Sequence, residues 1–531
     1  MSNPLVLSIL LNAHTPFAGY AKGIRTPEEQ WFFQALSETY IPLLEVFDHL
    51  DRDHVPFRLA ISLSPMLCQM LKDEVLLRRY LEYTDQQIEF GRKELDRTRE
   101  SPGLWELARL FYDRAVDKRI LFTERYGKDI LNVLDHHQKQ GRVELLNTAA
   151  THAFLPLYTS CPEAIQAQFE AAIASHRLFF GRTTQGFWLP ELGWSGDLDR
   201  YLRAYNFSYT VVDTHGVLLG NDEPRRGSFY PVKTPSQVFI LIQDFYAHRD
   251  ICESERGYRF SPVFRDHYQD VGYELPADSV KAFLGPNGSR AQTGYKYWDL
   301  SGKRIRKHLY DPLKASEQAR IHARSFLAAR IERLARAAAC MDESPISLCA
   351  YEADTFGRFW YEGPEFLETL FREAAQNGQI RFMNPAEYIF KQNVSAFQTS
   401  MPEFSSWGDN GYAETWLDAS SDWMYRHVVR ALDRMVELAE RFPNDSGLKE
   451  RALNQAAREI LLVQTSDWPR MLYKRESTEY ARHQIETALR NFTTIYESLG
   501  SNYISTEWLT NLERQHNLFP GINYRIFRRK H

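Results

Sequence analysis

The feature that most constrains this chain is a recurring pair: a short, apolar, strand-like run followed at once by polar or charged residues. Leu5 to Leu11 is almost continuously apolar and runs into Asn12-Ala13-His14-Thr15-Pro16. Val143-Glu144-Leu145-Leu146 leads to Thr148 and Thr151-His152, and Gly186 to Leu189 leads to Pro190-Glu191. Tyr209-Thr210-Val211-Val212 leads to Asp213-Thr214-His215, and Ile346 to Tyr351 leads to Glu352 and Asp354. A brief apolar run of this kind reads as a buried strand. In parallel α/β folds the carboxyl ends of such strands are where sites are built.

Helical patterns lie between the runs. Residues near 70–140 carry Leu, Arg, Glu and Tyr at helical spacing, Pro162 to Phe180 reads as a helix, and Ser316 to Met341 is rich in Ala and Arg. Strands alternating with helices predict an α/β chain with a parallel sheet or barrel. The stretch near 216–312 mixes Gly, Pro, charges and aromatics without clear periodicity and reads as loop-rich. After about residue 400, Trp423 to Phe442, Gly447 to Val463 and Glu479 to Leu499 read as amphipathic helices. The expected division is an α/β domain over 1–398, with a helical insertion near 70–140 and a loop-rich insertion near 216–312, and a mostly helical domain over 399–531.

Composition narrows the partners. Charged residues make up 25% of the 531 and the net charge is −5. That balance argues against a general polyanion binder, so no nucleic-acid partner is expected. No apolar stretch approaches the roughly 18 residues that span a bilayer, and the opening Met1-Ser2-Asn3-Pro4 does not read as a secretory leader. The five cysteines are scattered, odd in number and without a C-x-x-C pair. This argues against a disulfide framework or a zinc site and fits a reducing cytoplasm. The 33 Phe, 28 Tyr and 11 Trp are core material by default, although Trp and Tyr also suit the apolar faces of sugar rings.

Two carboxylate sites stand out. Glu191 leaves a strand end beside the aromatic wall of Phe187 and Trp188. Glu352 and Asp354 follow a strand, and at i and i+2 they are expected to share a face. Carboxylates from separate strands, with aromatics nearby, are the minimal equipment for glycosidic bond chemistry. One attacks the anomeric carbon; the other protonates the leaving oxygen and then deprotonates the acceptor. Neighbouring carboxylates raise each other's pKa, which suits one of them to the acid role. Taken singly, Glu191 reads as a turn residue and the 352–354 pair as solvated charges; the apolar setting of Cys349, Ala350, Tyr351, Phe356, Phe359 and Trp360 weighs against the second. His14, His152 and His215 each sit just past a strand. A metal site competes with hydrogen bonds to sugar hydroxyls as their role, and without an H-E-x-x-H or C-x-x-C motif the hydrogen-bonding role is preferred. The chain has no P-loop, G-x-S-x-G or G-x-G-x-x-G.

These residues resemble glycoside hydrolase family 57, most closely its α-1,4-glucan branching enzyme subgroup, along nearly the whole chain. Leu11-Asn12-Ala13-His14-Thr15-Pro16-Phe17 and Glu144 to His152 look like the first two family motifs. Phe187-Trp188-Leu189-Pro190-Glu191 matches the nucleophile motif, Val212 to Gly216 is also typical, and Glu352 to Gly363 resembles the acid/base motif. Ser405-Ser406-Trp407-Gly408, Asp422 to His427 and Gln464-Thr465-Ser466-Asp467-Trp468 look like the subgroup's helical domain. The resemblance implies an incomplete (β/α)7 barrel with an inserted helical region and a helical C-terminal domain, a retaining mechanism, and no metal or other cofactor. It implies Glu191 as nucleophile, with Glu352 or Asp354 as acid/base. It further implies substrate contacts from Asn12, His14, His152, Trp188, Asp213, His215, Trp360, Trp407, Trp416, Asp467 and Trp468. The chain departs from the family at Asn12, usually His; at Glu352-Ala353-Asp354, where the order is usually Asp-x-Glu; and after Arg249-Asp250, where a longer loop carrying a Trp is usual.

The expected function is a 1,4-α-glucan branching enzyme of glycogen metabolism, acting on glycogen, amylose or maltooligosaccharide. The alternatives are a 4-α-glucanotransferase, an α-amylase, or a catalytically impaired glucan-binding protein.

Overall fold

Valine, isoleucine and leucine dominate the short runs because a strand covered on both faces has no polar side to present. The computed structural model describes residues 4–19, 26–220, 222–285, 288–302 and 307–530. In chain order the described strands are β1 (Leu5–Ala13), β2 (Leu59–Leu63), β3 (Val143–Thr148), β4 (Phe187–Trp188), β5 (Tyr209–Val212), β6 (Val232–Lys233), β7 (Phe239–Ile242), β8 (Ile346–Glu352) and β9 (Ile380–Phe382). The chain divides into two compact units. One comprises Met1–Leu59, Met70–Val143 and Phe245–Met383; the other comprises Ala60–Gln69, Glu144–Asp244 and Asn384–His531.

In the first unit β1 is the middle strand. It pairs in parallel with β8, in register from Val6↔Ile346 to Asn12↔Glu352, and with β9 from Leu5↔Ile380 to Leu7↔Phe382. Pro312–Ala338 is the long Ala- and Arg-rich helix. Asp311 starts it by accepting from the Leu313 and Lys314 amides at 3.1 and 3.2 Å, and Pro312 fills the first turn, where no amide proton is needed. It packs against the helix Gly363–Asn377. The helical stretch read near 70–140 consists of Glu74–Arg97, Pro102–Ile120 and Ile130–Lys139, with Asp73 capping the first.

In the second unit β2, β3 and β4 lie side by side, with β3 and β4 parallel. β5 runs parallel to β7, and β6 antiparallel to it. The helix Pro162–Phe180 ends at Gly181, whose φ of 66° suits a residue without a Cβ. The C-terminal helices are Asp422–Arg441, Leu448–Val463 and Thr478–Gly500.

The stretch read as loop-rich holds β6, β7 and the helix Phe245–Cys252. Four apolar residues, Phe239–Ile242, are too few to reveal their period, so a loop and a short buried strand look alike there. β4 is only two residues long. The chain leaves it extended at Leu189 and then turns sharply.

Candidate active site

That turn is built from two consecutive left-handed residues, Glu191 at φ 59° and Leu192 at φ 49°. Each such conformation costs a non-glycine residue on the order of 1–3 kcal/mol, so the surroundings must hold it. Leu192 is fully buried, and its amide and that of Gly193 bond back to the carbonyls of Leu189 and Pro190 at 2.9 and 3.0 Å. A Cβ on Gly193 would sit 2.5 Å from the Phe154 ring, so the turn lies flat against that side chain. The Glu191 carbonyl accepts the Trp407 amide proton at 2.7 Å.

The Glu191 side chain is 13% exposed. Its Oε1 accepts from the Ser466 hydroxyl at 2.9 Å. Ser466 Oγ also lies 3.0 Å from His152 Nδ1, and the Ser466 amide donates to the His152 carbonyl. Around this contact the segment after β3 is joined to the end of the helix Leu448–Val463. Thr151 Oγ1 donates to the Leu461 carbonyl at 2.6 Å, and Gln168 donates to both Gln464 Oε1 and Thr151 Oγ1. Asp467 is buried and accepts from Thr465 Oγ1 at 2.7 Å. Trp468 is buried, its indole proton on the Leu462 carbonyl.

Residues 405–417 form a strap with neither strand nor regular helix. Trp407 is its one half-buried tryptophan. Its indole N–H donates to Gln243 Oε1 at 2.6 Å, and its ring meets Trp188 edge-on at 5.3 Å. His215 holds the far side of the strap. The Gly411 carbonyl 2.8 Å from Nε2 can only accept, so that nitrogen carries the proton. Asp213, as acceptor to the ring, raises the His215 pKa against the opposing effect of burial. The expected sugar contact at His215 is therefore, in this structure, a hydrogen bond to backbone. Trp416 is 2% exposed and stacks on Phe154 at 4.9 Å, and Trp188 is fully buried. Both are enclosed, whereas Trp407 stays half-buried.

In the first unit the paired register brings Asn12 opposite Glu352. Asn12 Nδ2 lies 3.1 and 3.2 Å from the two Glu352 oxygens. Asn12 is 1% exposed, Glu352 is half-buried, and His14 is half-buried one residue past the end of β1. The expectation that Glu352 and Asp354 share a face is not met. Strand β8 ends at Glu352 and Ala353–Thr355 turns as a 3-10 helix, so alternation at period two no longer applies. Asp354 is buried and paired with Arg358 at 3.2 Å; burial raises its pKa, against the pull of Arg358. Trp360 is 1% exposed among Phe264, Phe356 and Phe366 and serves as core.

Beneath these residues Glu38 and Arg265 form a buried ion pair at 2.6 Å. Burial pushes the Glu38 carboxyl up, but Lys296 and Arg265 outweigh it and hold the group well below the usual range. A cavity of about 650 Å³ in this unit is lined by Glu38, Glu45, Arg114, Lys118, Tyr361 and Glu362 among others, and by neither Asn12 nor Glu352. Among the described residues no group of three or more His, Cys, Asp or Glu is gathered as a metal site.

Ser466, Gln243 and Arg358 were not singled out from the sequence. Ser466 lies within the quoted Gln464–Trp468 segment, but a serine 275 positions from its partner gives no spacing signal.

Comparison with known proteins bears on both units. Residues 8–398 match the family model for glycosyl hydrolase family 57, and residues 427–527 match that for the 1,4-alpha-glucan branching enzyme C-terminal region. The chain is 26% identical to the 1,4-alpha-glucan branching enzyme of Thermococcus kodakarensis, over 97% of this chain and 77% of that protein. Among solved structures it resembles the alpha-amylase AmyC of Thermotoga maritima, at 31% identity and TM-score 0.92 over 100% of both chains. It also resembles the branching enzyme of Pyrococcus horikoshii, at 25% identity and TM-score 0.88 over 99% of this chain and 97% of that one. These neighbours bear out the expected α/β fold, an incomplete (β/α)7 barrel with a helical C-terminal region.

Proposed function

This chain belongs to glycosyl hydrolase family 57, and on that premise we propose that it is a retaining 1,4-α-glucan branching enzyme, moving an α-1,4 glucan segment to a 6-hydroxyl. The observation that carries this reading is the Ser466–Glu191 hydrogen bond. It puts a residue from the segment matched by the branching enzyme C-terminal model directly on the carboxylate of the barrel motif. We assign Glu191 as nucleophile and Glu352 as acid/base. Glu352 is the more accessible of its pair, whereas Asp354 is buried on Arg358. Asn12, His14, His152 and Trp407 would contact the glucan, with Asp213, His215, Trp188, Trp416, Asp467 and Trp468 in support. Division into domains near residue 399 is supported by the two family models, which end and begin on either side of it.

The substrates proposed are glycogen, amylose and longer maltooligosaccharides. Five free thiols favour a reducing, cytoplasmic setting. Among the described residues no helix is long and apolar enough to cross a membrane.

The test is linkage analysis of amylose incubated with the wild type and with Glu191→Gln. Branching gives α-1,6 anomeric protons by NMR with little new reducing end, and Glu191→Gln abolishes them. The likeness to AmyC, called an alpha-amylase, favours a second reading. In that case water is the acceptor and reducing ends rise without α-1,6 signal. Glucan binding with neither product would sink both.

A further inference from the structure

We propose that Ser466 is a positioning residue for the nucleophile and that it sets the tautomer of His152; the catalytic half of this rests on Glu191 being the nucleophile. The argument is one of hydrogen-bond direction. An ionised carboxylate has no proton to give, so across the 2.9 Å contact the Ser466 hydroxyl donates to Glu191 Oε1. A hydroxyl has one proton, so Ser466 Oγ faces His152 Nδ1, 3.0 Å away, with a lone pair. His152 must then carry its proton on Nδ1 and donate it.

The arrangement is fixed on every side. Ser466 is 1% and His152 2% exposed. The Ser466 amide is held by the His152 carbonyl, and Ala153 bridges Thr465 in antiparallel fashion. His152 is left-handed at φ 52°, as is Glu191 at 59°. Both side chains are thus aimed by unusual backbone, and Ser466 is the group that links them. The direct His152 Nδ1 to Glu191 Oε1 distance, 3.7 Å, is too long for a hydrogen bond.

The consequence for the reaction is an inequivalence between the two oxygens. On this proposal they take different roles: Oε1 keeps the hydrogen bond from Ser466, and Oε2 forms the bond to the anomeric carbon. The glycosidic C–O bond breaks in the same step, and the leaving oxygen takes a proton from the acid/base carboxyl. In the second step an acceptor hydroxyl returns that proton to the acid/base and forms the new C–O bond. The Oε2–carbon bond breaks, and its electron pair goes back to the carboxylate. Through the covalent intermediate Oε1 is an ester carbonyl and a weaker acceptor. As the carboxylate departs, the hydrogen bond regains its charge-assisted strength. Ser466 therefore contributes most to the carboxylate as leaving group, that is, to resolving the intermediate.

The test has an arm that needs no turnover. In protein labelled with 15N-histidine, and with His152 assigned by comparison with His152→Gln, the ring is expected as the Nδ1–H tautomer. Ser466→Ala should abolish that preference, and Ser466→Thr should keep it. An Nε2–H tautomer in the wild type overturns the proposal. In the kinetic arm Ser466→Ala should lower kcat by about 10- to 100-fold, the loss of a hydrogen bond to a charged group. KM for amylose should stay level or fall, because the intermediate accumulates, and Ser466→Thr should recover most of kcat. A kcat within twofold of wild type for Ser466→Ala overturns the positioning role, as does a loss that Thr does not repair in a protein of unchanged melting temperature. A wild type that turns over no glucan while showing the Nδ1–H tautomer refutes the nucleophile assignment and with it the catalytic half.

Discussion

Asn12 and Glu352 face each other across adjacent parallel strands, and the single amide nitrogen of Asn12 spans both carboxylate oxygens, at 3.1 and 3.2 Å. The contact ties the longer Glu side chain to β1 through a buried donor. Asn12→Ala removes that donor. A hydrogen bond to a charged group contributes about 1.5–3 kcal/mol, so kcat/KM should fall by roughly 10- to 150-fold. Asn12→Asp, which sets a like charge opposite Glu352, should fall further. Steady-state kinetics on amylose, beside melting curves for the folded variants, measure this. Wild-type kcat/KM in Asn12→Ala would show that Glu352 needs no support from β1.

The strap that carries Trp407 depends on a glycine. Gly411 has φ 82°, and a Cβ there would lie 2.7 Å from the His215 ring. Gly411→Ala must either displace His215 or strain the backbone, at about 1–2 kcal/mol for the conformation alone. The melting temperature should drop by a few degrees, and KM for amylose should rise several-fold while kcat changes less, on the proposal that Trp407 binds glucan rather than reacts. If kcat falls and KM does not, the strap has some duty other than binding.

Glu362 gives the pH dependence of stability a definite sign. Burial pushes its carboxyl from 4.5 up to about 7. Between those values the folded chain holds a proton that the unfolded chain has released, so stability declines as pH rises from about 4.5 to 7. For this 5% exposed group the decline is bounded at about 3 kcal/mol. Glu144, also pushed up to about 7 by burial, acts in the same window. Glu362→Gln should flatten, without removing, the fall in urea-unfolding free energy over that range. An unchanged slope would place the Glu362 carboxyl back near its ordinary value.

How much of this could be read from the chain alone follows from which forces are local. Asn12, Glu191 and Glu352 were legible because each ends an apolar run, and a strand end is a local event. The shared face expected of Glu352 and Asp354 fails because the strand stops two residues short of Asp354. Tryptophans could be counted but not sorted. Trp188, Trp360 and Trp416 are buried, while Trp407 stays half-exposed, and nothing in their immediate neighbours separates the cases. Ser466 and Gln243 were invisible for a different reason. A hydroxyl or an amide acquires its meaning from one partner, and those partners lie 275 and 164 positions away.

That separation also governs when the protein can work. A ribosome that has just released Glu191 still has 275 residues to add before Ser466 follows. At about 5–20 residues per second that interval is on the order of 15–60 s. Throughout it the left-handed turn at Glu191 and Leu192 lacks the hydroxyl on its carboxylate, and until Trp407 is added it also lacks that amide on its backbone. The hydrogen-bonded setting of the Glu191 carboxylate is thus completed only late in synthesis. A nascent or truncated chain can contain the whole Glu191 motif and still lack that setting.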